Sequence, residues 1–72
     1  MRKIFAMIDL DCANCAAKME RAIADIEGVT FVSVSYFAQK LTLEAPDEVF
    51  EAVLKEAQKR VKRIEPDCRI KV

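Results

Sequence analysis

Residues that break regular structure are scarce in this sequence, which has one glycine and two prolines among its 72 residues. An excess of charge is also absent, because twelve Lys and Arg residues balance twelve Asp and Glu residues. A neutral chain has no overall electrostatic field that would draw it to nucleic acid or to an anionic membrane. The composition therefore excludes a disordered chain and gives no support to either of those partners.

Long apolar runs are missing as well, so no segment could span a bilayer. The start of the chain, MRKIFAMIDLD, is basic, but Asp9 and Asp11 interrupt its apolar part, which indicates a strand and not a signal peptide. Hydrophobic residues make up 53% of the chain, which is enough for a small core. We expect one globular domain over residues 1–72, monomeric and without direct membrane insertion.

Cysteine is present in a small and odd number, three, and two of the three are separated by only two residues. A secreted disulfide scaffold would carry an even set of cysteines spread along the chain. We therefore expect free thiols and a reducing, cytoplasmic environment.

The hydrophobic periodicity changes along the chain, and each change marks a new element. Ile4, Ala6, Ile8 and Leu10 alternate with their neighbours and predict a first strand with these four residues on its apolar face. The remaining segments show helical spacing or alternation in turn. In chain order, the pattern predicts a strand over 4–10, a helix over 13–26, a strand over 29–36, a short strand over 41–43, a helix between 47 and 66, and a strand over 68–72.

The order strand, helix, strand, strand, helix, strand predicts an α+β fold of the ferredoxin-like type. In this βαββαβ sandwich, a four-stranded antiparallel sheet carries both helices on one face. Three connections then meet at one end of the sheet: the loop with Cys12 and Cys15, the hairpin at Tyr36 and Phe37, and the turn Glu65-Pro66-Asp67. We expect the chemistry of the domain at that end.

The two closely spaced cysteines lie where the first strand passes into the first helix. Cys12 follows the strand, and Cys15 falls in or near the first helical turn, where unpaired backbone N–H groups stabilise a thiolate. Lys18 adds a positive charge one turn later. A thiolate pair at such a place suits either metal binding or disulfide exchange.

Three features favour metal binding over redox chemistry. Ala13 and Asn14, between the cysteines, are not the proline or glycine common in redox-active pairs, and the order of elements differs from that of a thioredoxin. Asp11 adds an anionic oxygen beside the thiols, which tends to raise a thiol pKa and disfavours a nucleophile. The same oxygen suits a ligand set for a divalent cation.

The stretch IDLDCANCAAKMERAIADIEGV resembles the heavy-metal-associated domain of soluble copper chaperones and of metal-exporting P-type ATPases, and the resemblance covers essentially the whole chain. Members of this family usually have Gly-Met-Thr before the first cysteine, whereas this chain has Asp9-Leu10-Asp11. The resemblance is closest to the amino-terminal domain of the zinc-, cadmium- and lead-exporting ATPases. It implies that Asp11 is a third metal ligand beside Cys12 and Cys15.

Coordination chemistry also favours a divalent metal over Cu(I). Two thiolates alone suit Cu(I), whereas two thiolates and a carboxylate carry three negative charges and suit tetrahedral Zn²⁺. The resemblance thus implies a non-enzymatic domain that captures Zn²⁺, Cd²⁺ or Pb²⁺ at Asp11, Cys12 and Cys15. It would exchange the ion with a membrane transporter or another thiol site. A free-standing Cu⁺ chaperone is the alternative, and a small thiol–disulfide oxidoreductase is a further one.

Simpler interpretations remain for several residues. Asp11 could be a helix N-cap or an exposed loop acid. Cys68 shares a phase with Ile70 and Val72, which favours a buried core thiol over a fourth ligand. The basic run KEAQKRVKR is read as a solvated helix face, and the hairpin aromatics Tyr36 and Phe37 as either shields of the metal loop or simple packing.

Overall fold

The computed structural model describes all residues from 1 to 72, and its element order agrees with the predicted one. The short 3₁₀ turn Asp47–Val49 leads directly into the second helix. The strands and helices are β1 (Arg2–Ile8), α1 (Ala13–Ala24), β2 (Phe31–Ser35), β3 (Lys40–Glu44), α2 (Phe50–Ile64) and β4 (Arg69–Lys71).

The four strands form one antiparallel sheet in the order β2-β3-β1-β4. Both helices pack on the same face of this sheet and against each other. In the register, Phe5 lies opposite Leu41 and Met7 lies opposite Ile70, so these side chains share the helix-covered face. The ferredoxin-like prediction is confirmed.

The core lies between the sheet and the two helices. Each helix contributes an apolar stripe, with Met19 and Ile23 from α1 and Val53 and Val61 from α2 among the buried residues. A domain of this size gains only about 3–5 kcal/mol of net stability from such a core. The residues with essentially no solvent exposure are Met19, Ile23, Leu41, Leu43, Ala57, Val61 and Cys68.

The predicted apolar face of β1 is wrong. Ile4 is 65% exposed and lies with Ala6 on the open face of the sheet, whereas Phe5 and Met7 face the helices. Every residue from 4 to 8 is apolar, so a period of two fits either face, and only the packing of the helices decides between them. Leu10 is nevertheless buried. The left-handed backbone of Asp9 (φ 60°) interrupts the regular alternation of side chains between the two faces of the sheet, so that Leu10 turns toward the core.

The ends of two elements also differ from expectation. Helix α1 ends at Ala24 and not at residue 26, and Gly28 lies in the loop that follows. The φ of 102° at Gly28 favours glycine, and an added Cβ atom would also lie only 3.3 Å from methyl groups of Val49 and Val53. Val72 was expected to share the buried face of β4, but it follows the strand and is 77% exposed.

The three predicted connections do meet at one end of the sheet. The side-chain amide of Gln39, in the β2–β3 hairpin, donates hydrogen bonds of 2.7 Å to the carbonyl oxygens of Leu10 and Tyr36. On the other side, Asp9 shares a small cleft with Pro66, at the turn before β4. The cysteine loop is thus held between the hairpin and that turn. Neither helix of the domain has the length and apolar character needed to cross a bilayer.

Candidate metal centre

Cys12 is the N-cap of α1, and its backbone is still extended (φ −135°, ψ 119°) while Ala13 begins the helix. The backbone N–H of Cys15 donates a hydrogen bond of 3.2 Å to the Cys12 sulfur. Sulfur here takes the place of the oxygen that serine, threonine or aspartate supplies at most N-caps. The cap brings the two cysteines of the CxxC motif to the same helix end, as the sequence predicted.

The pKa values of the two thiols are shifted in opposite directions. A hydrogen bond from the Cys15 thiol, bonds from the backbone N–H groups of Cys15 and Asn14, and the charge of Lys18 all lower the pKa of Cys12. The pKa of Cys15 is raised, first by its hydrogen bond to Cys12, then by burial and by the negative charges of Cys12 and Glu65. Cys12 is therefore the first of the pair to lose its proton as the pH rises.

We expect iodoacetamide to modify Cys12 before Cys15 in the reduced, metal-free domain. Both side chains are half-buried, but Cys15 also packs against the core, and only thiolates react. The difference between the ionised fractions of Cys12 and Cys15 is largest at a pH between their two pKa values. This difference narrows once the pH exceeds the raised pKa of Cys15. Mass mapping of partially labelled protein measures the order, and faster labelling of Cys15 near neutral pH would contradict it.

Cys68 lies beneath this centre, immediately before β4, with 0% of its surface exposed. Burial, followed by the charges of Glu65, Asp11 and Asp9, raises its pKa to about 11. A thiol in that state is protonated at neutral pH and lacks the thiolate that metals bind. This environment is in keeping with a core residue, and the exclusion of Cys68 from the ligand set stays a prediction.

Asp11 is exposed in the loop directly before the N-cap. Because Cys12 caps the helix, Asp11 does not, and no hydrogen bond or ion pair of the structure involves its carboxylate. Nowhere do three or more Cys, Asp or Glu side chains converge in a way that could hold a metal ion. The structure therefore brings Cys12 and Cys15 together without a third ligand in place, and ligation by Asp11 stays a prediction.

Glu65 is a residue that the sequence-based reasoning missed. It is half-buried at the C-cap of α2, and its negative charge raises the pKa of both Cys15 and Cys68. The available signal was its place in a turn already expected at the metal end. Of the hairpin aromatics, Phe37 is 97% exposed, whereas Tyr36 packs partly against the core.

Comparison with known families decides the class of this domain. Residues 4–66 match the family model described as "Heavy-metal-associated domain". The chain belongs to this family. A heavy-metal-associated domain binds metal ions and is not itself catalytic. Metal binding by the thiol pair at the start of α1 stays a prediction.

Relatives of this heavy-metal-associated domain include both transporters and small proteins. The chain is 30% identical over 71 residues to the cadmium, zinc and cobalt-transporting ATPase of Bacillus subtilis, a match that covers 99% of this chain and 10% of that ATPase. It is also 30% identical over 57 residues to the COP-associated protein of Helicobacter pylori, covering 79% of this chain and 86% of that protein. The chain thus spans about a tenth of the ATPase that it matches.

Solved structures agree on the fold. The N-terminal domain of a potential copper-translocating P-type ATPase from Bacillus subtilis, solved in its Cu(I)-loaded state, superposes with a TM-score of 0.76. The superposition covers 97% of this chain and 85% of that domain, at 24% sequence identity. This similarity establishes the ferredoxin-like architecture of the heavy-metal-associated domain.

Proposed function

We propose that this domain captures one divalent ion, Zn²⁺, Cd²⁺ or Pb²⁺, with Cys12, Cys15 and Asp11 as its three protein ligands. The observation that carries the proposal is the preformed pair at the start of α1, in which the backbone N–H of Cys15 donates to the Cys12 sulfur and the pKa of Cys12 is lowered. Metals bind thiolates, so binding displaces the protons of the two thiols. Affinity should therefore rise with pH until both thiols are ionised.

The preference for a divalent ion rests on charge and on donor type. Two thiolates and the Asp11 carboxylate would give the site three negative charges, and Glu65 places a further carboxylate near Cys15. The chain contains no histidine, so a carboxylate is the only strong side-chain donor left near the thiols. An S₂O set suits tetrahedral Zn²⁺ with a fourth position open to water or to a ligand of the acceptor.

Asp11 can join this set by movement of its own side chain. Its carboxylate has no partner that would have to be given up, and Asp11 lies in the loop directly before Cys12. Because the Asp11 carboxylate is exposed, only water molecules have to leave it when it binds a metal ion. These properties support its role as the third ligand.

Ion exchange with a transporter is the proposed purpose of the capture. The half-buried thiols lie at an end of the domain where an acceptor can approach, and an ion passes between such sites by stepwise replacement of ligands. Similarity to an ATPase named for cadmium, zinc and cobalt supports a place as the N-terminal module of a P-type metal exporter. In that setting the domain would lie in the cytoplasm, tethered through the transporter.

A Cd²⁺ titration of the reduced domain tests the capture. We expect an ultraviolet thiolate-to-metal band that saturates at one ion per chain, because Cys12 and Cys15 form a single site. Saturation at half an ion per chain would instead mean that two copies share the metal. An insulin-reduction assay run in parallel should show negligible turnover, and rapid turnover would replace this proposal with that of a thiol–disulfide oxidoreductase.

A further inference from the structure

The neutral balance of the chain conceals a separation of charge. Residues 1–54 carry five Lys and Arg against nine Asp and Glu, a net −4, whereas residues 55–72 carry seven against three, a net +4. The positive part consists of most of α2, the turn after it and β4. The domain is thus strongly polarised, with a basic side along α2 and the sheet edge.

Part of this basic side is concave. A cleft of about 410 Å³ lies between α2 and β4, and the buried side chain of Ile70 is its one apolar residue. Lys55, Lys59 and Lys62 line one wall at spacings of four and three residues, which places them on one face of α2. Arg69 lines the other wall, and no acid lies between the walls.

The four cations of this cleft have no partner within the domain. The ion pairs of the structure are made by the N-terminal amine, Arg2 and Arg60. Arg60 lies on the same helix, where it pairs with Glu56 and Asp25 outside the cleft. Several like charges facing one space attract an anionic ligand and repel a cationic one.

Strand β4 supplies a second recognition element. It is an edge strand, paired only with β1, so the backbone groups along its other side are available for a further strand. We propose that the cleft between α2 and β4 docks an extended acidic segment of a partner protein, with acidic side chains on Lys55, Lys59, Lys62 and Arg69 and its backbone along β4. Addition of a strand to a free sheet edge is a common mode of peptide recognition.

The spacing of the cations fits such a segment. Lys55 and Lys59 are separated along the helix axis by about 6 Å, at 1.5 Å per residue. Alternate residues of an extended chain are about 6.6–6.8 Å apart, so carboxylates at every second position reach successive lysines. Nucleic acid is disfavoured because no aromatic side chain lines the cleft for stacking, and a membrane is disfavoured because a flat surface does not fill a concave site.

The cleft continues toward the metal end, but neither Cys12 nor Cys15 lines it or the small cleft beside it. Lys62 and Arg69 also line the neighbouring small cleft that contains Asp9 and Asp67. Those two acids would repel an acidic chain, so the docked segment ends before the metal loop. Peptide binding should therefore be independent of Cys12 and of any bound metal, and it can be tested separately from the proposed metal capture.

Fluorescence anisotropy with a labelled octapeptide of alternating glutamate and serine tests the docking. We expect saturable binding by the domain that weakens with added salt. The double variant Lys55→Gln/Lys59→Gln should bind about 3- to 30-fold more weakly, because two exposed charge pairs are removed. The matched control Lys3→Gln/Lys40→Gln loses the same charge outside the cleft and should bind as the wild type does.

The position of the peptide is checked by the amide NMR shifts of the labelled domain, which should change along Arg69–Lys71 and the facing side of α2. Equal weakening in both double variants would overturn the docking site, since only net charge would then matter. So would binding of inorganic tripolyphosphate without binding of the peptide. Concentration-dependent self-association that the peptide does not reverse would assign the cleft to a second copy of the chain and would also overturn the proposal.

Discussion

Cys12→Ser and Cys15→Ser are each expected to abolish the thiolate-to-Cd²⁺ band and to weaken binding by more than about 100-fold. Each change removes one of the two sulfur donors on which both the band and most of the affinity depend. Its loss should therefore exceed the roughly 10–100-fold cost of losing a residue that only supports a ligand. Serine keeps an acceptor at the N-cap, so the start of α1 is preserved in the Cys12 variant. Ultraviolet titration and chelator competition measure the two losses.

Cys68→Ala is the matched control for these cysteine variants. The side chain of Cys68 is fully buried, and alanine removes its sulfur without leaving an unpaired hydroxyl in the core. The variant should keep the band and the affinity for Cd²⁺, with at most a small loss of stability. A folded Cys68→Ala domain without the band would place this thiol among the ligands and would refute its assignment to the core.

Asp11→Ala is expected to weaken Zn²⁺ binding by roughly 10–100-fold while changing Cu(I) affinity far less. The variant loses one oxygen donor and one negative charge, which a divalent ion uses and a Cu(I) ion held by two thiolates does not. Comparison of the two metals controls for damage to the loop, because a distorted cysteine pair would weaken both. Competition with a chromophoric chelator suited to each metal gives the two affinities.

Two further variants separate ligation by Asp11 from its charge alone. Asp67→Ala removes an exposed acid from the same end of the domain and should change Zn²⁺ affinity only slightly. Glu65→Gln tests the other carboxylate near Cys15. If Glu65→Gln weakened Zn²⁺ binding and Asp11→Ala did not, the third ligand would be Glu65. Equal losses for Zn²⁺ and Cu(I) in Asp11→Ala would return Asp11 to the role of an exposed loop acid.

The elements of the fold could be predicted because their signals are local. The helical stripes of α1 and α2 and the alternation of Leu41 and Leu43 each follow from the spacing of apolar residues, and the order of elements then restricts the topology. The inward face of β1 could not be predicted in this way. Phe5 and Ile4 are equally apolar, and their difference in burial arises only when the helices cover one side of the sheet.

The candidate metal centre, too, could be predicted from the sequence only in part. The spacing of Cys12 and Cys15 predicted a pair at a helix start, and the structure agrees. The opposite pKa shifts of the two thiols depend on hydrogen bonds to one sulfur, which spacing does not determine. The effect of the Glu65 charge on Cys15 depends in addition on how α2 packs against α1, a contact between residues far apart in sequence.

The left-handed backbone of Asp9 determines how the cysteine loop is anchored. Met7 and Leu10 both reach the core although three positions separate them, so one residue more than a regular strand requires lies between the two anchors. Leu10 is thereby buried directly before Asp11 and Cys12, whereas a regular extended backbone at Asp9 would turn it toward the open face of the sheet. The cysteine loop would then lose its anchor in the core, and the domain is expected to hold a bound metal less rigidly.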